Sequence, residues 1–154
     1  MFPSVSSPPG FVNPVEARLS AALAAAGAWD ATPIEIACAG AQWVTFQFFY
    51  TRAGAGGDFQ FRIESSLRSA DDLVLPNWAR ASVMSVGGVV SGADTLSNIQ
   101  RGDIEYGSTG AGVEGFTYGP LHLGGTIERI RVPAHESGAI ATPGTLYILA
   151  VFVY

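Results

Sequence analysis

Lysine is missing from this chain, cysteine occurs once, histidine twice, and charged residues fill only 14% of the 154 positions. Each shortage excludes something. The eight basic residues, all arginine, are outnumbered by thirteen acids, for a net charge of −5. No positive field is left over to attract a phosphate backbone, so nucleic acid is not an expected partner. A lone Cys38 closes no intrachain disulfide and completes no thiolate zinc cage. It reads as a small buried apolar residue, and stability has to come from packing. No apolar run approaches the roughly 18 residues of a membrane-spanning helix, so no membrane is expected. Residues 1–10 carry no Lys or Arg ahead of an apolar stretch, which is not the pattern of a secretory signal, and synthesis in a cytoplasm is the expectation.

What is present is apolar: 48% of the chain. A single domain of this length buries roughly 70% of the surface its unfolded form exposes. Residues 1–12 mix prolines and serines with Phe2, Phe11 and Val12, a blend that forms no core by itself and reads as an extended arm. Its apolar residues are either loose ends or plugs for a neighbour's groove. Asn13 at a cap position, Pro14 at the first helical position and Glu16 where a capping box wants an acid precede an alanine-rich run. These signals predict a short helix over residues 13–22 within a helix and lead-in segment spanning 13–30.

From there to the C-terminus, residues 31–154, the pattern is short strands punctuated by glycine and proline, the mark of an all-β fold. The first strand is expected over 33–38. In 43–51, Val44, Phe46, Phe48 and Tyr50 alternate with Trp43, Thr45, Gln47 and Phe49, and the first set is the core face. A glycine-rich turn follows, and then Phe59, Phe61 and Ile63 alternate with Gln60, Arg62 and Glu64, which predicts a hairpin. Residues 65–78 read as a loop with Trp78 capping the core. Further strands are expected over 81–86, 99–106, 115–123, 126–133 and 145–154. The last is apolar on both faces, so it is either central or an edge strand covered by another subunit. The fold class expected is all-β: an antiparallel β-sandwich of two packed sheets, with an N-terminal arm and a short N-terminal helix.

Chemistry is scarce. Gly110-Ala111-Gly112-Val113-Glu114-Gly115 has dinucleotide-binding glycine spacing, but Phe116-Thr117-Tyr118 continues as a strand where a Rossmann unit needs a helix, so a glycine-rich hairpin is expected instead. His122 and His135 have no second pair to complete a metal cage and read as structural. Ser137 and His135 with a remote carboxylate form one conceivable catalytic set, yet no nucleophile elbow accompanies them. The acids pair as Asp71 with Asp72, and as Asp103 with Glu105 on one strand face; solvated loops explain them more simply than a glycosidase pair. Arg129 and Arg131 lie two apart and project from one face, toward either cross-strand carboxylates of the same chain or an intersubunit carboxylate. The expectation is a protein with no enzymatic activity, no cofactor and no metal site.

Several segments carry a resemblance: Gly27-Ala28-Trp29-Asp30, the strand ending Phe48-Phe49-Tyr50-Thr51-Arg52 before Gly56-Gly57, and Phe61-Arg62-Ile63-Glu64-Ser65. Later come Ile127-Glu128-Arg129-Ile130-Arg131-Val132, Glu136-Ser137-Gly138 and Pro143-Gly144-Thr145-Leu146. In this order the chain resembles the virion decoration, or cement, proteins of tailed bacteriophages. The resemblance implies a jelly-roll-like sandwich bound to the exterior of an icosahedral capsid, usually as a homotrimer, with the major capsid protein as partner and terminal arms reaching neighbouring subunits. The candidate partner-binding residues are Phe2, Phe11 and Val12, as apolar anchors of the arm, and Arg129 and Arg131, as guanidinium groups sharing one strand face. The helix-like segment at 13–22 departs from the simplest form of that pattern. A competing reading is a carbohydrate-binding β-sandwich module of a phage tail or fibre, since Trp43, Trp78 and Tyr118 are candidate exposed aromatics.

Overall fold

A computed structural model describes residues 13–25, 28–52, 58–67, 78–80, 88–89, 95–98, 103–107, 113–137 and 143–154. Its strands are β1 (Val15–Ala22), β2 (Ile36–Ala37), β3 (Trp43–Thr51), β4 (Asp58–Phe61), β5 (Glu64–Ser66), β6 (Ala79–Arg80) and β7 (Gly88–Val89). They continue as β8 (Thr95–Asn98), β9 (Ile104–Gly107), β10 (Val113–His122), β11 (Arg129–Arg131), β12 (Ala134–Ser137) and β13 (Thr145–Val153). No helix occurs among the described residues, and all the strand pairings are antiparallel.

One layer is a five-stranded sheet in the order β1-β13-β3-β10-β7. Facing it are two ladders, β2-β11-β5-β6 and β12-β4-β9-β8. These ladders are halves of one bent layer: two residues separate β4 from β5 and two separate β11 from β12, and at that bend Arg62 N donates to Pro133 O at 3.2 Å. Aromatic side chains fill the space between the layers. Phe48 of β3 stacks on Phe116 of β10 with ring centroids 4.6 Å apart, and meets Phe61 of the opposite layer at 4.5 Å. The arrangement is a sandwich-like all-β fold.

The alternation in β3 is realised: Val44, Phe46, Phe48 and Tyr50 are buried, while Trp43 and Gln47 are exposed. The strand apolar on both faces, β13, is central, paired with β1 on one side and β3 on the other. Leu146, Ile148, Ala150 and Phe152 point into the core, and Tyr147, Leu149, Val151 and Val153 line the outer face half-buried. The first expected strand, 33–38, shrinks to β2. The residues expected to form a strand over 81–86 and the glycine-rich segment 110–112 lie outside the described residues; Phe116-Thr117-Tyr118 does continue as strand β10.

Three expectations are corrected. The helix over 13–22 is strand β1, the edge of the five-stranded sheet. Its alanines favour a helix only locally; here the segment gains a ladder with β13 and buries Ala17 and Leu23, and tertiary pairing outweighs propensity. The sheet therefore starts at Val15, within the segment read as helix and lead-in. The predicted hairpin of β3 with β4 does not form: β3 pairs with β13 and β10, while β4 pairs with β12 and β9. Alternation tells which face of a strand is apolar but not which strand lies beside it, and two strands with strong apolar faces can meet face to face across a core instead of edge to edge. Trp78, read as a core cap, packs outside the core beneath Arg131 and Arg129, 4.2 and 5.4 Å from their guanidinium carbons.

Candidate functional site

On its outer side the bent layer pairs several of its ionisable groups within the chain. Arg129 Nη1 donates to Glu35 Oε2 at 2.6 Å, and Arg131 Nε to Glu64 Oε2 at 2.6 Å. The other oxygen of Glu64 lies 2.8 Å from Arg62 Nε, an ion pair too bent to be a hydrogen bond. The planes of Trp78 and Trp29 add to this: Arg62 sits 4.1 Å over the Trp29 ring. Both sequence-singled arginines thus have intrachain carboxylates, and a guanidinium paired this way in a half-buried setting is held in place more than it is offered. Phe2, Phe11 and Val12 lie outside the described residues.

Farther along the same outer side, Ser137 Oγ and Gln60 Nε2 both donate to Glu105 Oε2, at 2.5 and 3.0 Å. The structure brings Ser137 and a carboxylate together, but His135 is buried edge-on against Trp29, with Nδ1 2.5 Å from the Glu136 carbonyl. A Ser–His–acid relay needs the serine to donate to the imidazole, and Ser137 spends its proton on Glu105. His122 is exposed and leans on Trp43. Asp71 and Asp72 lie outside the described residues, and no group of three or more His, Cys, Asp or Glu among the described residues is placed to hold a metal.

Sequence reasoning missed two buried polar groups. Arg18, 9% exposed, forms a two-pronged pair with Asp30 at 2.9 and 3.1 Å, and its remaining N–H groups donate to the carbonyls of Ala21, Ala22 and Leu146. Asp30 also accepts from Ala134 N. One guanidinium therefore ties the edge strand β1 to β13 and, through Asp30, to β12; no local motif announces a pair twelve residues apart. Glu136 is 1% exposed; its Oε1 accepts from Gly144 N and from Tyr50 OH, while Oε2 has no hydrogen-bond partner. Burial pushes this carboxyl above the usual glutamate range, Asp58 adds to the rise, and the Gly144 and Tyr50 hydrogen bonds and Arg52 oppose it. The only available signal was its place in an alternating strand on the side of Ala134, which is a core side.

Burial also raises the Cys38 thiol to about 11, with Glu128 adding to the rise, so the thiolate nucleophile is suppressed. Tyr118, fully buried, is raised to about 12 by burial alone.

The outer side of the five-stranded sheet is different in kind. Phe49 and Tyr147 stack at 5.9 Å, and Leu149, Val151 and Val153 continue the apolar surface along β13. A groove of about 330 Å³ runs across it, lined by Pro14, Thr45, Gln47, Thr117, Leu149 and Val151. Leu19 at 58% and Val113 at 72% stand exposed on β1 and β10. Among the described residues no titratable groups line this groove, in which Thr45, Gln47 and Thr117 stand beside the apolar Pro14, Leu149 and Val151. No family model matches the chain, and no curated protein and no solved structure matches it.

Proposed function

We propose that this chain is a structural virion protein, without enzymatic activity, that decorates and stabilises a phage capsid by binding the outer surface of the shell. The observation that carries this reading is the apolar row that β13 presents on the outer side of the five-stranded sheet, Tyr147, Leu149, Val151 and Val153 with Phe49 stacked on Tyr147, where a solvated strand would show polar residues. Pro14, one of the residues lining the groove, comes in sequence just after residues 1–12, read as an arm. Adhesion to a lattice of major capsid protein needs apolar area and shape rather than a catalytic cleft, and binding the assembled shell better than loose subunits stabilises it by mass action.

Strand order supports the jelly-roll part of the proposal. When β4 with β5 and β11 with β12 are each taken as one bent strand, and the short flanking strands β6, β7 and β8 are set aside, the layers run β1-β13-β3-β10 and β2-β11/12-β4/5-β9, so that the first strand lies beside the last and the second beside the next to last. That interleaving is the two-Greek-key pattern of a jelly roll. A homotrimer on the capsid exterior is the assembly proposed.

The test is mass in solution by light scattering, together with mass spectrometry of purified particles from cells that express the chain. The reading expects a trimer and many copies per particle. A monomer absent from every particle fraction would sink it.

A further inference from the structure

At one end of the five-stranded sheet, residues 38–43, 120–127 and 151–154 meet, and none of the three segments contains Asp, Glu, Lys or Arg. Backbone hydrogen bonds lace them together: Gln42 N to Val153 O at 2.7 Å, Leu123 N to Gln42 O at 2.7 Å, and Gly125 N to Ala41 O at 3.0 Å. Gly124 and Gly125 turn the chain at φ of 71° and 76°, a region open to glycine without strain. On this frame Trp43 is 42% exposed, and its ring is braced by His122 with centroids 4.6 Å apart and planes tilted by 44°. Gln42 and His122 are exposed beside it, and Tyr154, 48% exposed, stands next to Gly40 at the same end.

We infer that this end is a binding site for an uncharged hexopyranose unit of a glycan, with Trp43 as the stacking platform and His122 and Gln42 as hydroxyl partners. A pyranose ring has one face of C–H groups that packs on an aromatic plane and a rim of hydroxyls that need neutral donors and acceptors. An indole, an imidazole and a primary amide supply that set. The three segments themselves supply no Lys or Arg for the pairing that a phosphate, sulfate or carboxylate ligand requires. The laced backbone holds Trp43 ready, so little ordering cost falls on binding. Trp43 belongs to the outward-facing set of β3, at the rim of the sheet, and the inference rests on the geometry of that rim and not on the capsid reading.

The experiment uses the full chain against immobilised neutral oligosaccharides built from glucose, galactose, mannose and N-acetylglucosamine, with sulfated and sialylated glycans as separate arms, followed by titration calorimetry of any binder. At least one neutral glycan binds, Trp43→Ala weakens it by about tenfold or more, and Gln42→Ala weakens it by about threefold. Trp43→Phe, which keeps an aromatic plane, retains part of the affinity and serves if Trp43→Ala alters the fold, as checked by its melting temperature. No neutral binder at millimolar concentration, unchanged affinity in both Trp43 variants, or a preference for the sulfated arm would each overturn the inference. Particle attachment is measured separately with the unaltered chain, so failure here is distinct from failure of the capsid reading.

Discussion

The two layers share one core and treat their outer sides in opposite ways. The five-stranded sheet is built from long strands, with β3, β10 and β13 at nine, ten and nine residues, and it leaves Phe49, Tyr147, Leu149 and Val151 facing outward. The bent layer is assembled from pieces of two to four residues, and its outer side is knit by Arg62, Glu64, Arg129, Arg131, Ser137 and Glu105. Short strands leave many backbone groups near bends, and side-chain pairs compensate for the interrupted ladder. A side whose charges are already paired has little to gain from a partner, whereas an apolar side gains by losing water. On the proposed reading, adhesion belongs to the long-stranded sheet, while the bent layer satisfies its own outer side.

The strongest way to break the comparison is to remove what both layers share. Phe48→Ala deletes the ring that touches Phe116, Phe59 and Phe61, and should cost about 3–5 kcal/mol in chemical denaturation, collapsing both layers in one transition. Next in size is Arg18→Ala. Asp30 is then left without its cation and the carbonyls of Ala21 and Leu146 without their donor, a loss of about 3 kcal/mol. Hydrogen exchange would show the damage concentrated in β1, and protection of β1 unchanged from wild type would refute the clamp.

Gly144→Ala comes third. An added Cβ would stand 2.5 Å from Tyr50 Cε2, and forcing that ring aside costs about 1–3 kcal/mol, read as a lowered denaturation midpoint. Glu136→Gln sharpens the comparison through pH. The folded state raises this carboxyl, so it favours the protonated form; the associated stability is fully present below the unfolded glutamate pKa of about 4.3 and is lost as pH rises through the folded value. The glutamine variant should flatten that part of the midpoint-versus-pH curve and match or exceed wild type on its alkaline side. The smallest effect belongs to Glu35→Ala, about 0–1 kcal/mol, because one partner of that ion pair is substantially exposed.

Much of the five-stranded sheet was legible because alternation is a local property. Val44 through Tyr50 declare their core face by period two, and residues 145–154, apolar on both sides, point to either a central strand or a covered edge, of which the structure shows the central one. What could not be read depends on partners far away in the chain. The alanine-rich segment 13–22 has helical propensity, and only Asp30 and β13, the latter more than a hundred residues on, make it a strand. The shared face of Arg129 and Arg131 followed from their spacing, but Glu35 and Glu64 come from elements that spacing cannot name. Trp43 was visible as an aromatic candidate, whereas the uncharged, laced end around it emerges only when three separated segments come together.

The pairing of β1 with β13 also sets a timetable. Val15 lies opposite Ala150, and β3 needs β10 on one edge and β13 on the other. On a ribosome neither edge of β3 can be closed until its distant neighbours have emerged, so its aromatic face waits unpaired through most of synthesis. Closure of that sheet is dominated by contacts between remote positions, the slow and aggregation-exposed route to a native state. Yield of soluble protein should consequently depend more on the speed of late synthesis and on temperature than on the stability of the finished fold.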